Sequence, residues 1–436
     1  MKNKLRKKNI FMKTTRKNFI KNLSIAAASP SIMSSFNCKE MELLNKDNFK
    51  VNAEPEDEEY WNMISKKYFS FSKEFINLEN GYFGIQANSV KEAFNIHSER
   101  LNQDLSKFAR KDYPEIFKNI KKEVANFLQV EDEEIILTRN ATESLNIAIQ
   151  SYPFKPNDEV LLSQLDYFSM IETFQMLEKR NKLKIKTIEL PLVPSTEDEI
   201  VNIYFNSITN NTKVILLTQV SNINGLIIPV EKIAKFAKGK GIDIICDSAH
   251  ALGQIPFDLN KMNCDFVGMN LHKWIGNPIG AGVLYIKKIR VQEMNSFWGD
   301  VKASDNDINK LAHFGTTSFP IMSTIPDSIS FHKKLGLENI SNRLHYLKSI
   351  WVNAYQNHST IKVITPASQN LSCAIASFQI KNKKPTEVAD YLWNQHKIFV
   401  ASRTLGTEGC IRVTPSIYNT AQDVQQLVIA LNKLEA

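Results

Sequence analysis

Asp247-Ser248-Ala249-His250-Ala251-Leu252-Gly253 and Asn270-Leu271-His272-Lys273-Trp274-Ile275-Gly276-Asn277-Pro278-Ile279-Gly280 are the two stretches on which the reading of this chain turns. The first directly follows Ile242-Asp243-Ile244-Ile245-Cys246, a short apolar run that reads as a buried strand; the second follows Phe266-Val267-Gly268, another strand-like run. Asp247 is thereby delivered to the C-terminal edge of a sheet, where open α/β sheets bind their ligands. A carboxylate in that place can bind a metal or cap a helix. It can also face a ring nitrogen and keep it protonated, which pyridoxal 5'-phosphate (PLP) requires to act as an electron sink. Lys273 stands at the neighbouring strand end, 26 residues on, between His272 and Trp274. Taken singly, such a lysine is an ordinary solvated side chain. Joined to the acid of the preceding strand end, it points to an aldehyde cofactor captured by its amine.

Working outward, strand-like and helical runs alternate. Strands are expected at 134–138, 160–162, 184–188, 214–218, 242–246, 266–268 and 282–286, and helices at 90–105, 113–128, 141–152, 169–180 and 230–238. This alternation predicts a mostly parallel sheet covered on both faces. Beyond about residue 325 the character changes to helices at 327–335 and 340–355, a strand at 372–380 and a last helix at 420–431, a smaller α+β domain. The expected divisions are a leader at 1–38, an N-terminal segment joining the small domain at 39–90, a large domain at 91–324 and a small one at 325–436.

Composition excludes several classes. Hydrophobic residues make up 43% and charged residues 23%, the balance of a folded globular chain. The five cysteines (Cys38, Cys246, Cys264, Cys373, Cys410) form no CxxC pair, so neither a metal cluster nor a disulfide framework is expected. The net charge of +8 is owed to Lys2, Lys4, Arg6, Lys7, Lys8, Lys13, Arg16, Lys17 and Lys21; the remainder is close to neutral, which speaks against nucleic acid as a partner. The basic run leads into Phe19-Ile20-Lys21-Asn22-Leu23-Ser24-Ile25-Ala26-Ala27-Ala28, the pattern of a targeting signal. Thr15-Arg16-Lys17-Asn18-Phe19-Ile20-Lys21 resembles a twin-arginine export signal, with Lys17 in place of the second arginine. A periplasmic or exported protein is expected; a cytoplasmic protein with a basic tail is the alternative. No run of apolar residues is long enough to span a membrane.

Two further motifs join the lysine segment. Phe75-Ile76-Asn77-Leu78-Glu79-Asn80-Gly81-Tyr82-Phe83-Gly84, Asn270-Leu271-His272-Lys273-Trp274 and Gly409-Cys410-Ile411-Arg412-Val413-Thr414-Pro415-Ser416-Ile417-Tyr418-Asn419-Thr420 together resemble the class V branch of the fold-type I PLP-dependent aminotransferase superfamily, and within it the isopenicillin N epimerase-like subgroup. The resemblance runs from about residue 75 to the C-terminus. It implies an α/β fold-type I architecture: a large domain with a mostly parallel seven-stranded sheet between helices, plus the smaller α+β domain. By the same resemblance Lys273 forms the Schiff base with PLP, Asp247 pairs with the pyridine nitrogen, and His250 and Asn222 lie near the phenolic oxygen. Ala141 and Thr142, in Thr138-Arg139-Asn140-Ala141-Thr142-Glu143, match the phosphate-binding turn, where a helix N-terminus offers backbone N–H groups to an anion. Asn270 and His272 add phosphate contacts, Tyr167 stacks over the cofactor, and Thr316 reaches the phosphate of a neighbouring subunit. The implied active unit is a homodimer with shared sites. Arg412 matches the clamp for a substrate carboxylate, a task suited to its rigid fork, with Arg403 a second candidate and Asn80 and Tyr82 at the substrate.

The resemblance implies chemistry at Cα of an amino acid or related amine, with Lys273 as general base. Aminotransferase and epimerase are the leading expectations. Epimerisation needs a second acid across the ring, for which Tyr82, His97 and Tyr167 are candidates. Alternatives are a cysteine desulfurase or PLP-dependent lyase, and a non-catalytic PLP-fold binding protein. A desulfurase needs a nucleophilic cysteine on a loop near the arginine, whereas Cys410 immediately precedes Ile411-Arg412 in an apolar setting. Phe297, Trp298 and Phe319 are candidates for pocket wall or subunit interface.

Overall fold

Short β-branched and leucine-rich runs become strands where both of their faces find apolar cover, and the computed structural model shows thirteen among the residues it describes, 49–299 and 302–435. The chain divides into two units, Met1–Lys50 and Val51–Ala436, and all thirteen strands belong to the second. The basic leader at 1–38 and the expected export signal lie outside the described residues.

The strands are β1 (Ile76–Asn77), β2 (Ile135–Thr138), β3 (Glu159–Ser163), β4 (Lys184–Ile188), β5 (Thr212–Thr218), β6 (Asp243–Asp247), β7 (Phe266–Asn270), β8 (Gly282–Ile286), β9 (Ile361–Val363), β10 (Ala376–Ile380), β11 (Ile398–Phe399), β12 (Ala401–Arg403) and β13 (Cys410–Val413). Seven form one sheet in the order β2-β8-β7-β6-β5-β3-β4. All neighbours run parallel except that β8 is antiparallel to β7 and β2. Alternate residues serve opposite faces: Leu161, Ile215, Leu217 and Ile244 pack into one apolar cluster, Val160, Leu162, Val214, Leu216 and Ile245 into the other. Strands buried on both sides explain the continuous apolar runs in the sequence.

The helices follow from spacing and caps. Val230–Lys238 buries Val230, Ile233, Ala234 and Ala237, the i, i+3, i+4, i+7 stripe of an amphipathic helix. Ala141–Ser151 starts at Asn140, whose side chain accepts the Glu143 N–H at 2.9 Å. It lies hard against β7, because a Cβ at Gly268 would come within 2.6 Å of the Leu145 side chain. That close approach brings the helix N-terminus over the strand leading to Lys273.

The smaller sheet is antiparallel, in the order β12-β13-β10-β9, and shares an apolar cluster with Leu347, Trp351, Leu392, Val424 and Leu427 from the helices Leu337–Tyr355, Pro385–His396 and Ala421–Glu435. The N-terminal segment joins it: β1 pairs parallel with β11, and Glu79 bridges to Thr414. Fully buried Arg343 ties the ends together, donating to the Pro55 and Asn419 carbonyls and pairing with Glu58.

One expected strand is shorter than its apolar run. Residues 372–375 leave the sheet to cover the 220–227 turn: Ser372 bridges to Leu226, and Ala374 donates its N–H to the Gln254 side chain at 2.9 Å. Helices Glu197–Ser207 and Pro385–His396 were not foreseen. Among the described residues no helix is long and apolar enough to cross a membrane.

Candidate active site

The C-terminal ends of β6 and β7 place Asp247 and Lys273 on one edge of the large sheet. Asp247 is buried, and one oxygen accepts the Ala249 N–H at 2.9 Å. Burial raises its carboxyl above the usual range, while that N–H and Lys273 pull the other way. Behind it stands Asp166, which sequence reasoning missed. It accepts the N–H groups of Ser163 at 2.7 Å and Thr218 at 2.8 Å, pinning the ends of β3 and β5, and burial pushes its carboxyl up to about 6. Its sequence signal is an acid three residues past a buried strand.

Lys273 Nζ lies 3.0 Å from His250 Nε2. Desolvation lowers the amine to about 8, opposed by Asp247 and reinforced by Arg412 and Arg403. His250 is held well below its usual range by burial and by the neighbouring cations, so it is the neutral imidazole that faces Lys273. Its Nδ1 is buried without a hydrogen-bond partner among the described residues, which leaves a polar atom available to a ligand. Over the lysine passes the 80–85 segment: the Gly84 N–H donates to the His272 carbonyl at 3.1 Å, and a Cβ on Gly84 would fall 1.9 Å from the Lys273 carbonyl oxygen. Only glycine lets the two segments lie this close.

The expected phosphate turn has its own wiring. The Asn270 side-chain oxygen accepts the Ala141 N–H at 2.8 Å, so that donor already has a partner. Thr142 lies in the first turn of the helix, where backbone N–H groups have no intrahelical acceptor, and its N–H and hydroxyl remain for an anion. His272 Nδ1 is 2.9 Å from the Ala281 carbonyl; since a carbonyl only accepts, Nδ1 carries the proton and Nε2 is left for a ligand. The side chains therefore fit PLP: an amine for the aldehyde, an acid for the ring nitrogen, an imidazole nitrogen without a partner, and a helix N-terminus for the phosphate.

The remaining expected residues divide. Tyr167 precedes the helix Phe168–Asn181, and burial with nearby Tyr82 and Asp247 raises its phenol, placing it on the Asp247 side, whereas Phe168 is exposed. Tyr82 is half exposed, with the Arg403 guanidinium 5.5 Å from its ring centre. Asn222 contributes its backbone carbonyl, which accepts from Arg412 at 2.8 Å. Asn80 lines a cavity together with Gly84 and Lys273, and its side chain donates to the Thr414 carbonyl at 3.0 Å and accepts from the Tyr418 hydroxyl, stitching the N-terminal segment to the small sheet. Thr316 is exposed on the loop before the helix Phe319–Ser323 and, within one chain, contributes nothing to this cluster. His97 faces Asp327 at 4.0 Å instead of the lysine. Phe319 packs 4.2 Å from the Tyr113 ring centre, and Trp298 donates to the Leu311 carbonyl at 3.1 Å.

Arg412 departs most from expectation. Its guanidinium, buried on β13, is paired with the carboxylate of Glu79, a residue the sequence reading passed over. Arg403, on adjacent β12, lies 3.6 Å from the same carboxylate. The four described cysteines are buried, and burial pushes the Cys410 thiol up to about 11 and the Cys373 thiol up to about 12. No group of acids, histidines and cysteines suited to a metal occurs among the described residues.

Residues 90–427 match the family model described as Aminotransferase class-V. Isopenicillin N epimerase of Streptomyces clavuligerus is 24% identical over 376 residues, 82% of this chain and 94% of that relative. A cysteine desulfurase of Wigglesworthia glossinidia brevipalpis is 29% identical over 377 residues, 80% of this chain and 87% of the relative. In structure, the apo cysteine desulfurase from Thermococcus onnurineus NA1 superposes with a TM-score of 0.74 at 22% identity, covering 85% of this chain and 97% of that one.

Proposed function

The chain belongs to the class V aminotransferase family, with PLP as its cofactor, and on that premise we propose that it is a lyase removing a β-substituent, sulfur above all, from an amino acid. Bound at this site, PLP supplies the electron sink. Asp247 holds the proton on the ring nitrogen, and Lys273, an amine lowered to about 8, accepts the Cα proton at Nζ with neutral His250 beside it. The Cα proton passes to Nζ, the Cβ–S electron pair leaves with sulfur, which takes a proton, and the remaining enamine hydrolyses to a keto acid and ammonia.

The observation that carries this reading is a base beside a cofactor site without a reactive thiol among the described residues. Similarity to desulfurases supports sulfur chemistry on an amino acid. Four buried cysteines, with the thiols of Cys264, Cys373 and Cys410 raised by that burial, argue against passing that sulfur to the enzyme. Epimerisation is a second reading, supported by the similarity to isopenicillin N epimerase and by Tyr167, whose raised phenol keeps its proton and is suited to donate it across the ring.

Incubation of the holoprotein with cysteine, cystine and other amino acids in deuterated water separates them. Keto acid, ammonia and released sulfur without an added acceptor support the lyase. Inverted, deuterated amino acid without keto acid supports the epimerase, and acceptor-dependent product would make the protein an aminotransferase. If no β-substituted amino acid yields keto acid, the lyase reading fails. We further propose a homodimer in which exposed Thr316 completes the partner's phosphate site, and a leader removed on export at about residues 28–40, which mass spectrometry of native protein checks.

A further inference from the structure

The carboxylate end of the site holds three charges where its task calls for one. Arg403 pairs with Cys410 across the β12–β13 ladder, and Cys410 and Arg412 lie two residues apart, so both arginines share a face of the small sheet. Glu79 enters between them from the N-terminal segment. Its carboxylate takes two contacts from Arg412, lies 3.5 Å from the Thr414 hydroxyl and stands 3.6 Å from Arg403. Arg412 spends a further N–H on the Asn222 carbonyl at 2.8 Å. Arg403 is the less engaged of the two: its Nε is buried with no hydrogen-bond partner among the described residues, and its side chain keeps 25% of its exposure. At Gly81 an added Cβ would lie 3.0 Å from the Thr414 side chain, a tight contact that glycine spares the segment carrying Glu79.

We propose that Glu79 is a specificity-determining residue that cancels one of the two arginines, leaving Arg403 to receive a single carboxylate and turning away substrates that bring a second. The inference rests on the reading of the substrate as an amino acid. Two arginines with no internal acid would suit a dicarboxylate. With Glu79 in place the balance is one net positive charge, which one α-carboxylate neutralises and a second would overdraw. The same three residues act electrostatically on Lys273, the arginines lowering its amine and Glu79 raising it.

Propionate and succinate test this on the full-length holoprotein. Neither carries an amine, so neither can react, and their calorimetric dissociation constants report the carboxylate end whatever reaction the enzyme performs. The native protein should bind propionate at least as tightly as succinate. Glu79→Gln should shift the ratio of the two constants roughly tenfold or more toward succinate, the size of removing one like-charge contact, while Glu79→Asp keeps the native ratio. An unchanged ratio in Glu79→Gln, or a native preference for succinate, overturns the proposal. Should Glu79→Gln fail to fold, Arg403→Gln asks from the other side: propionate binding should weaken roughly tenfold, and unchanged binding equally overturns it.

Discussion

Burial holds Lys273 at about 8, so at pH 7 roughly a tenth of it is the free amine that attacks an aldehyde. The sign follows: below that value the ammonium dominates and cannot attack, and above it the amine is fully available. The rate at which cofactor-free protein captures PLP, followed by absorbance, should rise with pH and level off above about 8. A rate still climbing past pH 10, as for an ordinary lysine, would contradict the desolvated setting. At this scale Lys273 and Asp247 were legible because Asp247 closes one strand and Lys273 follows the end of the next, and strand ends announce themselves through apolar runs. Glu79 was not. An acid next to Leu78 reads as a surface charge until the fold brings Arg412 under it, and no local pattern reports a partner more than three hundred residues away.

Among elements, the site depends on loops that pass each other without room for a side chain. Gly84→Ala would drive a methyl into the Lys273 carbonyl, so one segment must move. The expected cost is about 1–3 kcal/mol, read by denaturant unfolding, with slowed capture of PLP at Lys273. Unaltered stability and capture would show that the two segments yield freely. The buried strands of the large sheet and the helix Val230–Lys238 could be read from sequence because their burial is strong and periodic. Pro385–His396 could not: it buries only Val388 and Leu392 and leaves most of its surface polar. The brief strands β9, β11 and β12 are too short for alternation to register, and β11 is paired by β1, more than three hundred residues away.

For the molecule as a whole, a mostly parallel sheet delivers the cofactor residues, and a small antiparallel sheet, joined by the N-terminal segment, delivers the arginines and Glu79. Thr316 takes no part in that assembly within one chain. If it serves a partner's site, Lys273→Ala and Thr316→Arg variants, each inactive alone, should regain about a quarter of native activity on forming mixed dimers, since half the dimers then hold one intact site. No recovery would place Thr316 outside the site. The direct test of the central claim is borohydride reduction of the holoprotein followed by peptide mapping. The pyridoxyl group should be found on the peptide containing Lys273 and vanish in Lys273→Ala. The same adduct on another lysine, or its persistence in that variant, would contradict the account.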